Sequence, residues 1–152
     1  MKVLIGNYPK HRWYHTLFGV TPQRVKIVKI DSQDTWSMDH TLALIIHPML
    51  IQLHDSGQGC HAVDQEDAPH ITFFDGKYSE EAWSYVLGEM IWAFEQQLKD
   101  DDESQFYDHS ECGDLKDIKD WNERISKVKV DNEGLEAHQK RKANGFRLFG
   151  KY

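Results

Sequence analysis

Two stretches of this chain repeat apolar side chains at the period of an α-helix, and this constrains the fold more than any other feature. Met38, Leu42, Ile45, Met49 and Leu53 recur at steps of three and four residues, so on a helix of about 3.6 residues per turn they share one face. The spacing predicts a helix over 36–54 that buries this face. Asp34, Thr35 or Ser37 can cap its start, and Pro48 removes an interior backbone donor and kinks it. A second helix starts at the cap Ser79, has Glu80 and Glu81 where the helix dipole favours anions, and buries Trp83, Val86, Leu87, Met90, Phe94 and Leu98. It runs into the acidic DDDE at 100–103, read as a solvated loop.

A third amphipathic stretch covers 115–130 through Leu115, Ile118, Trp121, Ile125 and Val128. A fourth begins at Asn132 and buries Leu135, Phe146 and Phe149, although Gly134 and Gly145 weaken its continuity. KVLIG (2–6) and RVKIVKI (24–30) are β-branched and bounded by turn residues, so they read as strands; HITFF (70–74) is a candidate third. The expected fold class is therefore α+β and mainly helical, three to four helices packed with a small N-terminal β-sheet. At 152 residues, with 39% hydrophobic side chains, the chain has enough material for one domain over 1–152 and no repeat or linker to divide it.

The longest apolar stretch, TLALIIHPMLIQL, is shorter than the roughly 20 residues a bilayer requires, so no membrane partner is expected. The first residues do not read as a signal peptide, and only two cysteines, Cys60 and Cys112, fit reduced thiols in a cytoplasm.

The net charge of −7 is unevenly distributed. Residues 1–30 carry Lys2, Lys10, Arg12, Arg24, Lys26 and Lys29 and no acid; residues 138–152 carry Lys140, Arg141, Lys142, Arg147 and Lys151 and no acid. All 25 carboxylates lie between, where the seven remaining Lys and Arg leave a net of −18. Either the basic ends dock on the acidic body, or they converge on an anion. Long nucleic acid is a poor partner, because the acidic body repels its phosphates.

Several constellations could carry chemistry. His40, His47 and His54 are seven apart and share a stripe, but seven residues rise about 10.5 Å, too far for one metal shell. They read as polar positions on a half-exposed helix face or subunit contact, or as groups that bind phosphate or switch with pH. Asp39 and His40, with Asp34 upstream, could serve a metal-dependent phosphohydrolase, although the doublet is reversed relative to the usual His–Asp order and capping explains the acids. Cys60, His61, His70, His109 and Cys112 lack the spacing of a zinc site. No GxSxG, P-loop or GxGxxG is present, and Glu81, Glu89 and Glu95 read as the wet face of their helix.

The segment KHRWYH (10–15) is the strongest binding candidate. Trp13 or Tyr14 can stack a base, worth about 1–3 kcal/mol, while Lys10, His11, Arg12 and His15 donate to phosphate. The alternative buries Trp13 and leaves Lys10 and Arg12 snorkelling to solvent. The ligand-binding set is Lys10, His11, Arg12, Trp13 and His15, joined by Arg141 and Arg147 of the basic C-terminal helix. No catalytic residue, metal or cofactor is assigned, and a homo-oligomer is expected.

DTWSMDHTLALIIHPML (34–50), DQEDAP (64–69), EMIWAFE (89–95) and NGFRLFGKY (144–152), together with NYPKHRWYH (7–15), resemble a family of small proteins of tailed bacteriophages. The resemblance covers most of the chain and transfers no site residue. It implies action in the cytoplasm of an infected bacterial host. There, a non-enzymatic protein would sequester a small phosphate-bearing, nucleotide-type ligand such as a defence signal, or act as an acidic inhibitor of a host protein.

Overall fold

A computed structural model describes residues 2–5, 13–14, 18–19, 23, 26–57, 59, 61–72, 79–99, 101–110 and 125–152. The chain divides into two compact units, Met1–Thr41 and Leu42–Tyr152. The fold class is mainly helical α+β, as expected.

In the first unit β1 (Lys2–Ile5) pairs antiparallel with β2 (Lys26–Lys29), Lys2 opposite Lys29 and Ile5 opposite Lys26. These are the two β-branched runs, whose side chains suit a pleated surface. A 3-10 turn at Gln33–Thr35 follows, closed by the Asp34 carboxylate, which accepts from the Asp31 N–H at 2.9 Å. That bond holds the Asp34 carboxyl below the usual carboxylate range. Asp34 therefore closes the preceding turn.

Helix α1 spans Met38–Ser56 and contains Pro48. It ends where Gly57 adopts φ 57°, a left-handed conformation that glycine reaches without a Cβ clash and that commonly terminates helices. Its buried residues are Ala43 and Leu50. The stripe expected to be buried is largely open: Met38, Leu42, Met49 and Leu53 are all exposed, Met49 at 59%. The period located the helix, but the face that packs runs through Ala43, Ile46 and Leu50, one position round from the expected stripe. What covers a face is a separate, nonlocal matter.

Helix α2 spans Glu80–Leu98 and is capped as expected, the Ser79 Oγ accepting from the Ala82 N–H at 3.2 Å. Helix α3 spans Asn132–Lys151, capped by Asp131, whose carboxylate accepts from the Gly134 N–H at 3.0 Å. It runs unbroken through both glycines that weakened its expectation. The α2–α3 pairing dominates the tertiary contacts of the second unit. Its core joins Val86, Leu87, Met90 and Phe94 to Leu148, with Val63 and Leu50 in the same cluster. Val86 and Leu148 are wholly buried. Full burial of such an aliphatic side chain contributes about 1.5–3 kcal/mol. Phe146 and Phe149 lie edge-on to Phe94 at 5.1 and 5.0 Å, and Phe149 remains 41% exposed.

A second small sheet was not foreseen. β3 (Tyr107–Asp108) pairs antiparallel with β4 (Lys129–Val130). The amphipathic run expected to be a helix to residue 130 thus ends as a strand, with residues 125–127 helical before it. Leu115, Ile118 and Trp121 lie outside the described residues. In the candidate strand HITFF, residues 70–72 form no strand, and the rest is outside the described residues. Among the described residues no helix is long and apolar enough to cross a membrane.

Candidate functional site

Helix α3 meets the acidic body through Arg141, Lys142, Arg147 and Lys151, each paired with at least one carboxylate, and these pairs decide what its cations can do. Arg141 donates to both oxygens of Glu89, Nε to Oε2 at 3.0 Å and Nη2 to Oε1 at 2.7 Å. Its guanidinium also lies 4.1 Å from the centre of the Trp92 ring, a cation–π stack. Glu89 is buried, so the expected wet face holds only at Glu81 and Glu95. The bidentate bond to Glu89 raises the Arg141 pKa further.

Lys142 donates to Asp102 at 2.6 Å, and His138 Nε2 lies 3.4 Å from the same oxygen. Asp102 belongs to the DDDE run expected to be solvated, yet its side chain is only 14% exposed. Burial pushes its pKa up, and hydrogen bonds from Lys142 and His138 more than reverse this. His138 is buried between the rings of Trp92 and Phe106, each at 5.2 Å.

The densest cluster gathers on Asp67. This carboxylate, 1% exposed, accepts from Arg147 Nη2 and Lys151 Nζ at 2.5 Å each and from the Tyr152 hydroxyl at 2.7 Å. Burial raises its pKa, but the bonds from Lys151, Arg147 and Tyr152 prevail and hold it at about 2. Lys151 also reaches Asp64 at 2.7 Å, and the Asp64 N–H donates to the Tyr152 oxygen at 3.0 Å. DQEDAP and NGFRLFGKY, quoted above as separate motifs, are thus two sides of one contact. Asp64, Glu66 and Asp67 are the one carboxylate group with metal-ligand spacing among the described residues. The Lys151 ammonium already sits among them, supplying the positive charge an ion would bring.

The sequence-derived site residues are distributed as follows. Lys10, His11, Arg12 and His15 lie outside the described residues, and with them the expected meeting of the two basic ends. Trp13 is described and is 78% exposed, its ring edge-on to Tyr14 at 6.1 Å. Arg141 and Arg147 are engaged by Glu89 and Asp67 while each side chain stays 49% exposed. Lys140 of the same helix pairs with no carboxylate among the described residues. It lines an open groove of about 530 Å³ with Tyr85, Glu89, Ala137, Arg141 and Asn144. Burial, then the nearby Glu89 charge, pushes the Tyr85 hydroxyl up, keeping it a neutral donor. Sequence reasoning passed over Tyr85 and Asn144. The signal was there as a stripe, 137, 140, 141 and 144 at helical steps, but its facing partner lies 52 residues away in sequence.

Asp39 and His40, the metal-hydrolase candidates, belong to no three-ligand group among the described residues. Of the zinc candidates, Cys60 and Cys112 lie outside the described residues. The imidazoles face rings: His61 lies 4.7 Å from Trp83, His70 edge-on to Tyr85 at 4.3 Å, and His109 stacked on Tyr107 at 6.5 Å.

Compared with known proteins, the chain matches no family model, no curated protein and no solved structure.

Proposed function

We propose that this chain binds and holds a small phosphate-bearing ligand of nucleotide type without breaking a bond in it. The observation that carries the reading is Trp13, an indole left 78% exposed beside Tyr14 within a cationic, acid-free segment. An exposed indole of this kind is a stacking platform, and stacking one base on it is worth about 1–3 kcal/mol. The groove of the second unit adds independent support. Lys140 supplies an ammonium, Arg141 retains donors beyond those given to Glu89, and Tyr85 and Asn144 are neutral hydrogen-bonding groups. The resemblance of its motifs to those of tailed-phage proteins supports extending the proposal to an infected bacterial cytoplasm, with a defence signal as the ligand.

The test is a panel of mono-, di- and cyclic nucleotides incubated with the protein, followed by native mass spectrometry and by heating to release what was bound. Intact ligand recovered from the protein supports sequestration; chemically altered ligand, or no uptake by any nucleotide, refutes it.

Protein binding is the second reading, supported by the open apolar stripe of α1 and by an apolar groove of about 600 Å³ lined by Ile46, Met49, Leu50, Leu53 and Phe149. Surface of this kind commonly marks contacts with other chains, and it serves equally a host factor or a second copy. Host-lysate retention at moderate salt and light scattering of the pure protein distinguish these.

A further inference from the structure

The last turn of α1 and the first two turns of α2 border a half-open cavity of about 270 Å³, lined among others by Leu53, His54, Trp83, Ser84 and Leu87. His54 Nε2 lies 3.0 Å from Ser84 Oγ, and His54 Nδ1 lies 3.4 Å from the Asp55 carboxylate. A carboxylate at Nδ1 favours the tautomer with its proton there. Nε2 is then left as an acceptor for the Ser84 hydroxyl. We propose that Ser84 is a nucleophile with His54 as its general base, and that the cavity hydrolyses a short-chain acyl ester.

The surroundings fit that chemistry. Glu80, Trp83, Ser84 and Leu87 line the cavity at helical steps of three, one and three, so one face of α2 presents the nucleophile beside an apolar floor. Leu53 completes the floor from α1. This leaves room for an acyl chain of a few carbons. Gly57, which ends α1, fixes the last turn that carries His54. The start of α2 borders the same space. The Ala82 N–H of that first turn is taken by the Ser79 cap, and the Glu80 side chain lines the space beside it.

In the proposed step the Ser84 oxygen attacks the ester carbonyl carbon while its proton passes to His54 Nε2. The bond from carbonyl carbon to leaving oxygen breaks, and that oxygen takes the proton from His54 and departs as an alcohol. Water then attacks the acyl-serine, losing a proton to His54, and the serine oxygen leaves with that proton as the carboxylic acid is released. Water is the only co-reactant consumed. Asp55 is a positioning residue. The site lies on a different face of α2 from the Arg141 groove, and the proposal does not depend on phosphate binding there.

The test uses the whole protein with a fluorophosphonate probe and with p-nitrophenyl acetate and butyrate. The expected result is a stoichiometric adduct on the peptide containing Ser84, located by mass spectrometry, and a burst of p-nitrophenol equal to the protein concentration. Ser84→Ala removes an exposed hydroxyl, keeps the melting temperature, and abolishes both signals. His54→Gln lowers the acylation rate about 100-fold. Asp55→Asn lowers it by about tenfold or less, because the Asp55 side chain is 73% exposed and its contact is long. Absence of an adduct on Ser84 in the unmodified protein, or turnover retained in folded Ser84→Ala, overturns the proposal.

Discussion

Gly145 of α3 packs its α-carbon directly against the backbone of Glu89 on α2: a Cβ at this position would lie 2.6 Å from the Glu89 carbonyl oxygen and would also collide with the Ala93 methyl. The two helices approach this closely because residue 145 has no side chain. The close approach also sets the spacing at which Arg141, one turn earlier, reaches the Glu89 carboxylate.

Two glycine substitutions should therefore act in opposite directions. Gly145→Ala gains about 1 kcal/mol of helix propensity but overpacks against backbone that cannot move aside, for a net loss of about 1–2 kcal/mol. Gly88→Ala, also inside a helix, meets nothing within 4 Å and should stabilise by about 0.5–1 kcal/mol. Urea unfolding of both variants and the parent measures the two effects.

Asp67 should confer acid-sensitive stability. Its pKa falls from 3.8 to about 2 on folding, so its contribution is complete above the unfolded value and disappears as the pH drops through about 2. The shift corresponds to roughly 2 kcal/mol at neutral pH. Asp67→Asn, which leaves Arg147 and Lys151 facing an uncharged amide, should cost about 2 kcal/mol at pH 7. The difference between variant and parent in urea midpoint should shrink progressively from pH 4 to pH 2. A constant difference across that range would refute the assignment.

Ligand uptake should depend on side chains that carry little of the fold. Trp13→Ala should lower nucleotide affinity about tenfold or more, since stacking is worth about 1–3 kcal/mol. Lys140→Ala should weaken binding and reduce its salt dependence. Both should leave the melting temperature within a degree or two, because both side chains are exposed. Isothermal titration at two salt concentrations checks affinity and salt dependence together.

The apolar stripe of α1 should govern self-association. Met49→Glu replaces a 59% exposed side chain, so the stability change should stay within about 0.5 kcal/mol. Any oligomer of the parent chain built on this face should dissociate. Multi-angle light scattering at several concentrations reads this directly, and an unchanged mass places the interface elsewhere.

Much of the secondary structure was legible because helix period and capping are local. Ser79 and its acidic first turn announced α2, and the 3.6-residue pattern placed its buried face on Trp83, Val86, Leu87, Met90 and Phe94, all of which are buried. The β-branched runs at 2–6 and 24–30 announced the hairpin strands. The strand Lys129–Val130 was missed because a two-residue pairing with Tyr107–Asp108 leaves no period to detect.

What the chain's order of residues determined alone, then, is the three long helices, the buried face of α2, and the separation of charge into basic ends and an acidic middle. Tertiary structure decided which carboxylates the paired cations of α3 meet, among them Glu89 for Arg141 across 52 positions, Asp102 for Lys142 across 40, and Asp67 for Arg147 across 80. It turned Glu89 and Asp102 from presumed solvent-facing acids into half of the α3 contact, and left the α1 stripe open where a core face was expected. The physical reason is that a side chain's period fixes its direction from its own helix axis. Whether that direction meets water, a ring or an opposite charge depends on elements far away in the chain.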